Sequence, residues 1–66
     1  MIEIRLWEAR TSRSLTLIKL AQLTQLSKST LNNIENAKTS PTLEQLEIIA
    51  VALNMRISDL YESEYK

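Results

Sequence analysis

Residues 15–20 and 26–31 write the same helix start twice. Thr16 and Ser27 stand where a hydroxyl oxygen can accept from a free amide of a first helical turn. Leu15 with Leu20, and Leu26 with Leu31, have the spacing of a hydrophobic staple across each cap. The starts lie so close that one helix can run only over about 17–23. Thr24-Gln25-Leu26 must then turn the chain into the next, over about 28–35. Two short helices therefore have to pack around a three-residue link. Glycine is the usual residue in so sharp a turn, and the chain contains none. A left-handed Gln25 would cost roughly 1 kcal/mol, unless the turn takes another shape.

The rest of the chain reads as three more helices. Ile2, Leu6 and Ala9 share one face over about 2–13, with a strand as the alternative for the first few residues only. After Pro41, Thr42-Leu43-Glu44-Gln45 has the capping-box form. Leu43, Leu46, Ile49, Ala50 and Leu53 continue as an apolar stripe, and Asn54, which tolerates left-handed dihedrals, is its natural stop. Ile57, Leu60 and Tyr61 fall together on a last helix over about 57–62. The expected fold is all-α, one compact five-helix domain over residues 1–66.

Composition narrows the chemistry. At 66 residues the chain is near the lower limit for folding alone. It has no cysteine and no histidine, which removes disulfides, thiolate and imidazole metal sites and histidine bases. No cofactor, metal or catalytic set is indicated, and an enzyme is not expected. No apolar run approaches the roughly 20 residues of a membrane span, so no membrane partner is expected. Charges within M-I-E-I-R-L-W argue against a signal-peptide core, and the expected location is cytoplasmic.

Net charge is zero, but it is unevenly distributed. Residues 1–40 carry Arg5, Arg10, Arg13, Lys19, Lys28 and Lys38 against Glu3, Glu8 and Glu35, six cations against three carboxylates, or +3. Residues 41–66 carry Arg56 and Lys66 against Glu44, Glu47, Asp59, Glu62 and Glu64, two against five, or −3. Such a chain can turn a basic front toward a polyanion. Ordinary solvated charge is the competing reading.

The helix over 28–35 has two unlike faces. At its 3.6-residue period Lys28, Ser29, Asn32, Asn33 and Asn36 share one side, while Thr30, Leu31 and Ile34 share the other. Glu35 sits at the seam. Solvated faces are usually built from better helix formers than Asn and Ser. Asn can pair bidentately with adenine N6 and N7, and Lys can donate to guanine O6 and N7. The alternative is a solvated face that is merely rich in Asn.

Leu20-Ala21, Ser27-Lys28-Ser29-Thr30, Ile34-Glu35-Asn36 with Lys38, and Pro41-Thr42-Leu43 occur in an order and spacing that resemble the lambda Cro and phage-repressor type of helix-turn-helix, the XRE family. Each motif is weak alone, and the resemblance runs from Ile4 to about Leu60. It implies a lambda-repressor-like fold with the helix-turn-helix at helices two and three. It also implies a homodimer on a pseudo-palindromic operator in double-stranded DNA, associated with the nucleoid. Ser27, Lys28, Ser29, Asn32 and Asn33 would read bases in the major groove. Asn36, Lys38, Thr39 and Ser40 would hold phosphates, with Thr16 at the start of the helix laid across the backbone. Arg10 matches the family's arginine that pairs with the glutamate at Glu35. Ile57, Leu60, Tyr61 and Tyr65 are candidates for the dimer interface. Closure of the core within one chain is the competing use for them, Leu60 above all.

The sequence departs from the family pattern at several places. Leu17 replaces a phosphate-binding Gln and suits packing better. Ser14, Gln25 and Ala37 stand where glycine is common. Arg56 is a poor cap for the last helix. Trp7 lies one position off its apolar stripe, which suggests partial burial against the C-terminal helix or a second subunit. Leu23 looks exposed. The leading expectation is a transcriptional regulator, in repressor mode. The alternative is a protein-interaction module, such as an antitoxin that binds a toxin and its own promoter.

Overall fold

The computed structural model describes residues 1–66. In chain order it holds β1 (Glu3–Ile4), α1 (Leu6–Thr11), α2 (Leu17–Thr24), α3 (Lys28–Glu35), α4 (Leu43–Leu53), a 3-10 turn (Ile57–Leu60) and β2 (Tyr61–Glu62). The five expected helices are thus four α-helices, with both outer segments corrected. β1 and β2 pair antiparallel, Glu3 opposite Glu62 and Ile4 opposite Tyr61.

Two local facts explain the correction. Arg5 precedes α1 with φ −106° and ψ 32°, outside both the helical and the extended regions, and has no side-chain cap; its N–H donates to Leu60 O at 2.7 Å. The residues before it are β-branched Ile2 and Ile4, which suit a pleated ribbon better than a frayed helical turn. Ile2 is consequently exposed rather than on a buried helical face. At the other end Arg56 has no oxygen with which to cap a helix. Asp59 Oδ2 accepts from Arg56 N at 3.1 Å, and Asp59 N donates to Arg56 O, which closes a tight 3-10 turn. Lys66 Nζ lies 2.9 Å from Glu62 Oε1 and holds that carboxyl below its ordinary value; both are exposed, so the pair adds little.

The three helix starts form their caps. Thr16 Oγ1 accepts from Lys19 N and Ser27 Oγ from Thr30 N, each at 3.0 Å. Thr42 and Gln45 exchange both bonds of the capping box, each at 3.0 Å. Leu20 and Leu31 then enter a single core with Leu6, Ala9, Ile34, Leu46, Ile49, Ala50, Leu53 and Leu60, and Leu15 and Leu26 pack against its edge. Leu60 is fully buried there, so its expected place at a dimer interface is corrected: it has no surface to offer a partner. Arg13 closes the far side, its Nε donating to Leu53 O at 3.0 Å and its Nη1 to Ala9 O at 3.0 Å. That contact satisfies a last-turn carbonyl of α4 that would otherwise lack a partner.

The missing glycines are visible at every helix end. Ser14 (φ 57°), Gln25 (φ 63°), Ala37 (φ 58°) and Asn54 (φ 55°) are left-handed and follow α1, α2, α3 and α4. Three of the four close a Schellman motif. Leu15 N donates to Arg10 O, Lys38 N to Asn33 O and Met55 N to Ala50 O. Each non-glycine residue stores about 1 kcal/mol of backbone strain, less for Asn54. Gln25→Gly will therefore leave stability unchanged or raise it by up to about 1 kcal/mol, the relief being partly offset by a looser unfolded chain. Urea denaturation measures this. A clear loss of stability would show that the Gln25 Nε2 contact with Gln22 O, at 3.2 Å, outweighs the strain.

Candidate nucleic-acid interface

α3 carries its polar face outward. Lys28, Ser29 and Asn32 are exposed, and Asn33 is half-buried. Leu31 and Ile34 on the opposite side are buried in the core, so the helix cannot roll about its axis without opening it. The face is thus fixed by packing and not by the polar residues themselves.

Hydrogen bonds within the chain rank the polar groups. Ser27 Oγ accepts from Thr30 N and also donates to Thr30 Oγ1 at 2.8 Å. Its only remaining capacity is one lone pair, enough for a donor but not for discriminating two-way readout. Asn36 Nδ2 donates to Asn32 Oδ1 at 3.1 Å, which occupies part of the Asn32 acceptor and turns Asn36 back toward the helix. The Asn33 side chain makes no such bond, leaving donor and acceptor both free, as pairing with an adenine edge requires. Lys28 has no ion-pair partner in the chain.

The segment after α3 is set by backbone geometry. Lys38 N and Thr39 N both point back at Asn33 O, at 2.9 and 3.4 Å, around left-handed Ala37. The side chains of Lys38, Thr39 and Ser40 are exposed just beyond the helix. Thr16, at the start of α2, uses its oxygen as a cap acceptor and keeps its hydroxyl hydrogen for an outside acceptor. These groups suit phosphate oxygens, which carry no sequence information.

One guanidinium ties three parts of the chain together. Arg10 Nε donates to Glu35 Oε2 at 2.6 Å and Arg10 Nη2 to Glu35 Oε1 at 3.0 Å, a bidentate pair between α1 and the end of α3. Arg10 Nη1 donates to Leu15 O at 2.8 Å, just ahead of α2. The two side chains are only 12% and 5% exposed. The hydrogen bond that Arg10 donates to Glu35, together with the Glu35 charge, raises the Arg10 pKa against the lowering effect of burial. Arg10 is therefore charged at any working pH.

This geometry matches known proteins. A helix-turn-helix family model, HTH_3, matches residues 8–60. The chain belongs to the XRE-type helix-turn-helix family. The crystal structure of an HTH_3 family transcriptional regulator from Vibrio cholerae is similar, with a TM-score of 0.78 and 42% identity over 82% of this chain. The match covers 30% of that longer chain. No curated protein matches significantly.

Within this helix-turn-helix domain the sequence reading missed the residue that shapes the turn. Thr24 is the only buried polar residue. Its hydroxyl donates to Leu20 O at 2.8 Å and accepts from Leu26 N at 3.2 Å, bridging the end of α2 to the entry of α3. A threonine directly before a left-handed residue and a second cap was the available signal. Thr24→Val will cost about 2 kcal/mol, because it leaves the Leu26 amide without a partner, and Thr24→Ser will cost less. Equal stability of the Val variant and the wild type in urea would show that the hydroxyl does not hold the turn.

Of the remaining candidates, Tyr61 and Tyr65 line one groove with Ile2 and Leu43, and Ile57 lies apart from it. Ile57 is partly buried against the core, Tyr61 pairs in the ribbon, and Tyr65 is exposed in the tail. Trp7 is 57% exposed, so part of its ring is covered, and Leu23 is 49% exposed. No helix is long and apolar enough to cross a membrane.

Proposed function

We propose that this domain is a sequence-specific DNA-binding transcriptional regulator that represses by occupying a pseudo-palindromic operator as a homodimer. The observation that carries the reading is the polar face of α3, held outward by buried Leu31 and Ile34, with free readout groups on Lys28, Ser29 and Asn33. Asn32 and Ser27 add contacts of lower discrimination. Asn36, Lys38, Thr39, Ser40 and Thr16 bind the backbone on either side. Two copies place two such helices in successive major grooves, about 34 Å apart. The net charge of zero fits this reading because Lys28 and Lys38 lie on the DNA-facing side while the carboxylates concentrate after residue 41.

Selection of bound sequences from a random DNA pool, with a salt titration of the winner, tests the proposal. The expected outcome is a two-fold symmetric consensus whose affinity falls linearly with salt on a log–log plot. A protein-interaction module that kept the fold without DNA binding would enrich no sequence and shift no DNA at low salt.

A further inference from the structure

The outer face of α4 carries large apolar side chains beside its charges. Of its eleven residues only Glu44, Gln45 and Glu47 are polar. Large apolar side chains ordinarily turn to the core, yet Val51 is 76% and Ile48 40% exposed on the same side as Glu44 and Glu47. Leu23, from the last turn of α2, joins them at 49%. Leu23, Glu47, Ile48, Val51 and Ala52 line one shallow depression of about 270 Å³.

The charges around this depression are divided between its two sides. On α2, Lys19 lies one turn before Leu23. On α4, Glu44 lies one turn before Ile48 and Glu47 one turn before Val51. All three charged side chains are exposed, and none has an ion-pair partner within the chain. A face with an apolar centre, a cation on one side and carboxylates on the other is complementary to itself under a two-fold rotation. The rotation sets the α2 side of each copy over the α4 side of the other.

We propose that a second copy of the chain binds here. Leu23, Ile48 and Val51 of both protomers would form the dry centre, and Lys19 of each would meet Glu44 and Glu47 of the other. The other apolar groove, about 340 Å³ and lined by Ile2, Leu43, Tyr61 and Tyr65 among others, lacks this signature. Charges near it are already neutralised within the chain, Arg5 by Glu3 and Lys66 by Glu62. The inference rests on the homodimer proposed above, but not on its DNA contacts.

Sedimentation equilibrium of the full chain without DNA tests it. The wild type should dimerise. Lys19→Glu and Glu47→Lys should each weaken the dimer about tenfold, and the two combined should restore it to within about threefold. Val51→Glu should weaken it about a hundredfold while circular dichroism shows the fold intact. A wild type still monomeric near millimolar concentration, single reversals without effect, or a combined variant that fails to recover would each overturn the proposal. Binding to a single half-site, measured on the same variants, separates the two claims. Half-site binding that survives while the dimer data fail removes this surface and leaves the DNA reading standing. An intact dimer that binds no half-site does the opposite.

Discussion

Arg10→Ala will lower stability by about 3 kcal/mol and the melting temperature by about 20 °C. The size of the effect follows from what the substitution leaves behind. The Glu35 side chain is 5% exposed and loses both hydrogen bonds of its bidentate partner, so a carboxylate stays nearly buried without a counter-charge. Leu15 O loses a donor as well. A domain of this size has only about 3–10 kcal/mol to lose. Glu35→Gln in the Arg10→Ala background should recover about 1 kcal/mol or more, because it removes the uncompensated charge without restoring the link. The variant should also bind DNA more weakly at temperatures where it remains folded, since α3 loses its tether to α1. If stability and affinity are both unchanged, the pair holds nothing together.

The features legible in the sequence are those written over three or four residues. Thr16, Ser27 and Thr42 announce their helices because a cap and its amide partner lie within one turn. Leu20 and Leu31 announce a core because a staple repeats its spacing. Lys28, Ser29 and Asn33 announce a polar face because helical periodicity sorts them from Leu31 and Ile34. The β1–β2 ribbon was not legible in this way. Its pairing joins Glu3–Ile4 to Tyr61–Glu62 across nearly the whole chain, and the local pattern of Ile2, Leu6 and Ala9 fits a helix equally well.

Rank within the site was hidden for a different reason. Nothing in the sequence shows that Ser27 spends its hydrogen on Thr30, or that Asn36 occupies the Asn32 oxygen. Those bonds depend on rotamers. The Arg10–Glu35 contact spans residues far apart in sequence, and only the family resemblance suggested it. The left-handed turn at Gln25 was posed by the sequence as a question. Its answer is shared by Ser14, Ala37 and Asn54: a chain without glycine follows each of its four helices with a left-handed residue that carries a Cβ, and of these only Asn54 is a residue type that tolerates the region well.

Asn33→Ala and Lys38→Ala will damage DNA binding in different ways. Asn33 has a free donor and acceptor on the face that buried Leu31 and Ile34 turn outward. On the proposed reading its amide matches one base edge, worth about 1–3 kcal/mol per half-site. The alanine variant should therefore lose preference at one symmetric pair of operator positions and keep its salt slope nearly unchanged. Lys38 lies beyond the Schellman turn at Ala37, with its amide held by Asn33 O and its ammonium exposed. On the same proposed reading it contributes charge toward phosphates and reads no base. The alanine variant should weaken every sequence about equally and reduce the salt slope by about one per protomer. The informative comparison is between selected and scrambled operators over a range of salt. If both variants lose the same affinity on both DNAs with the same change in slope, the division of α3 and its following loop into reader and anchor is wrong.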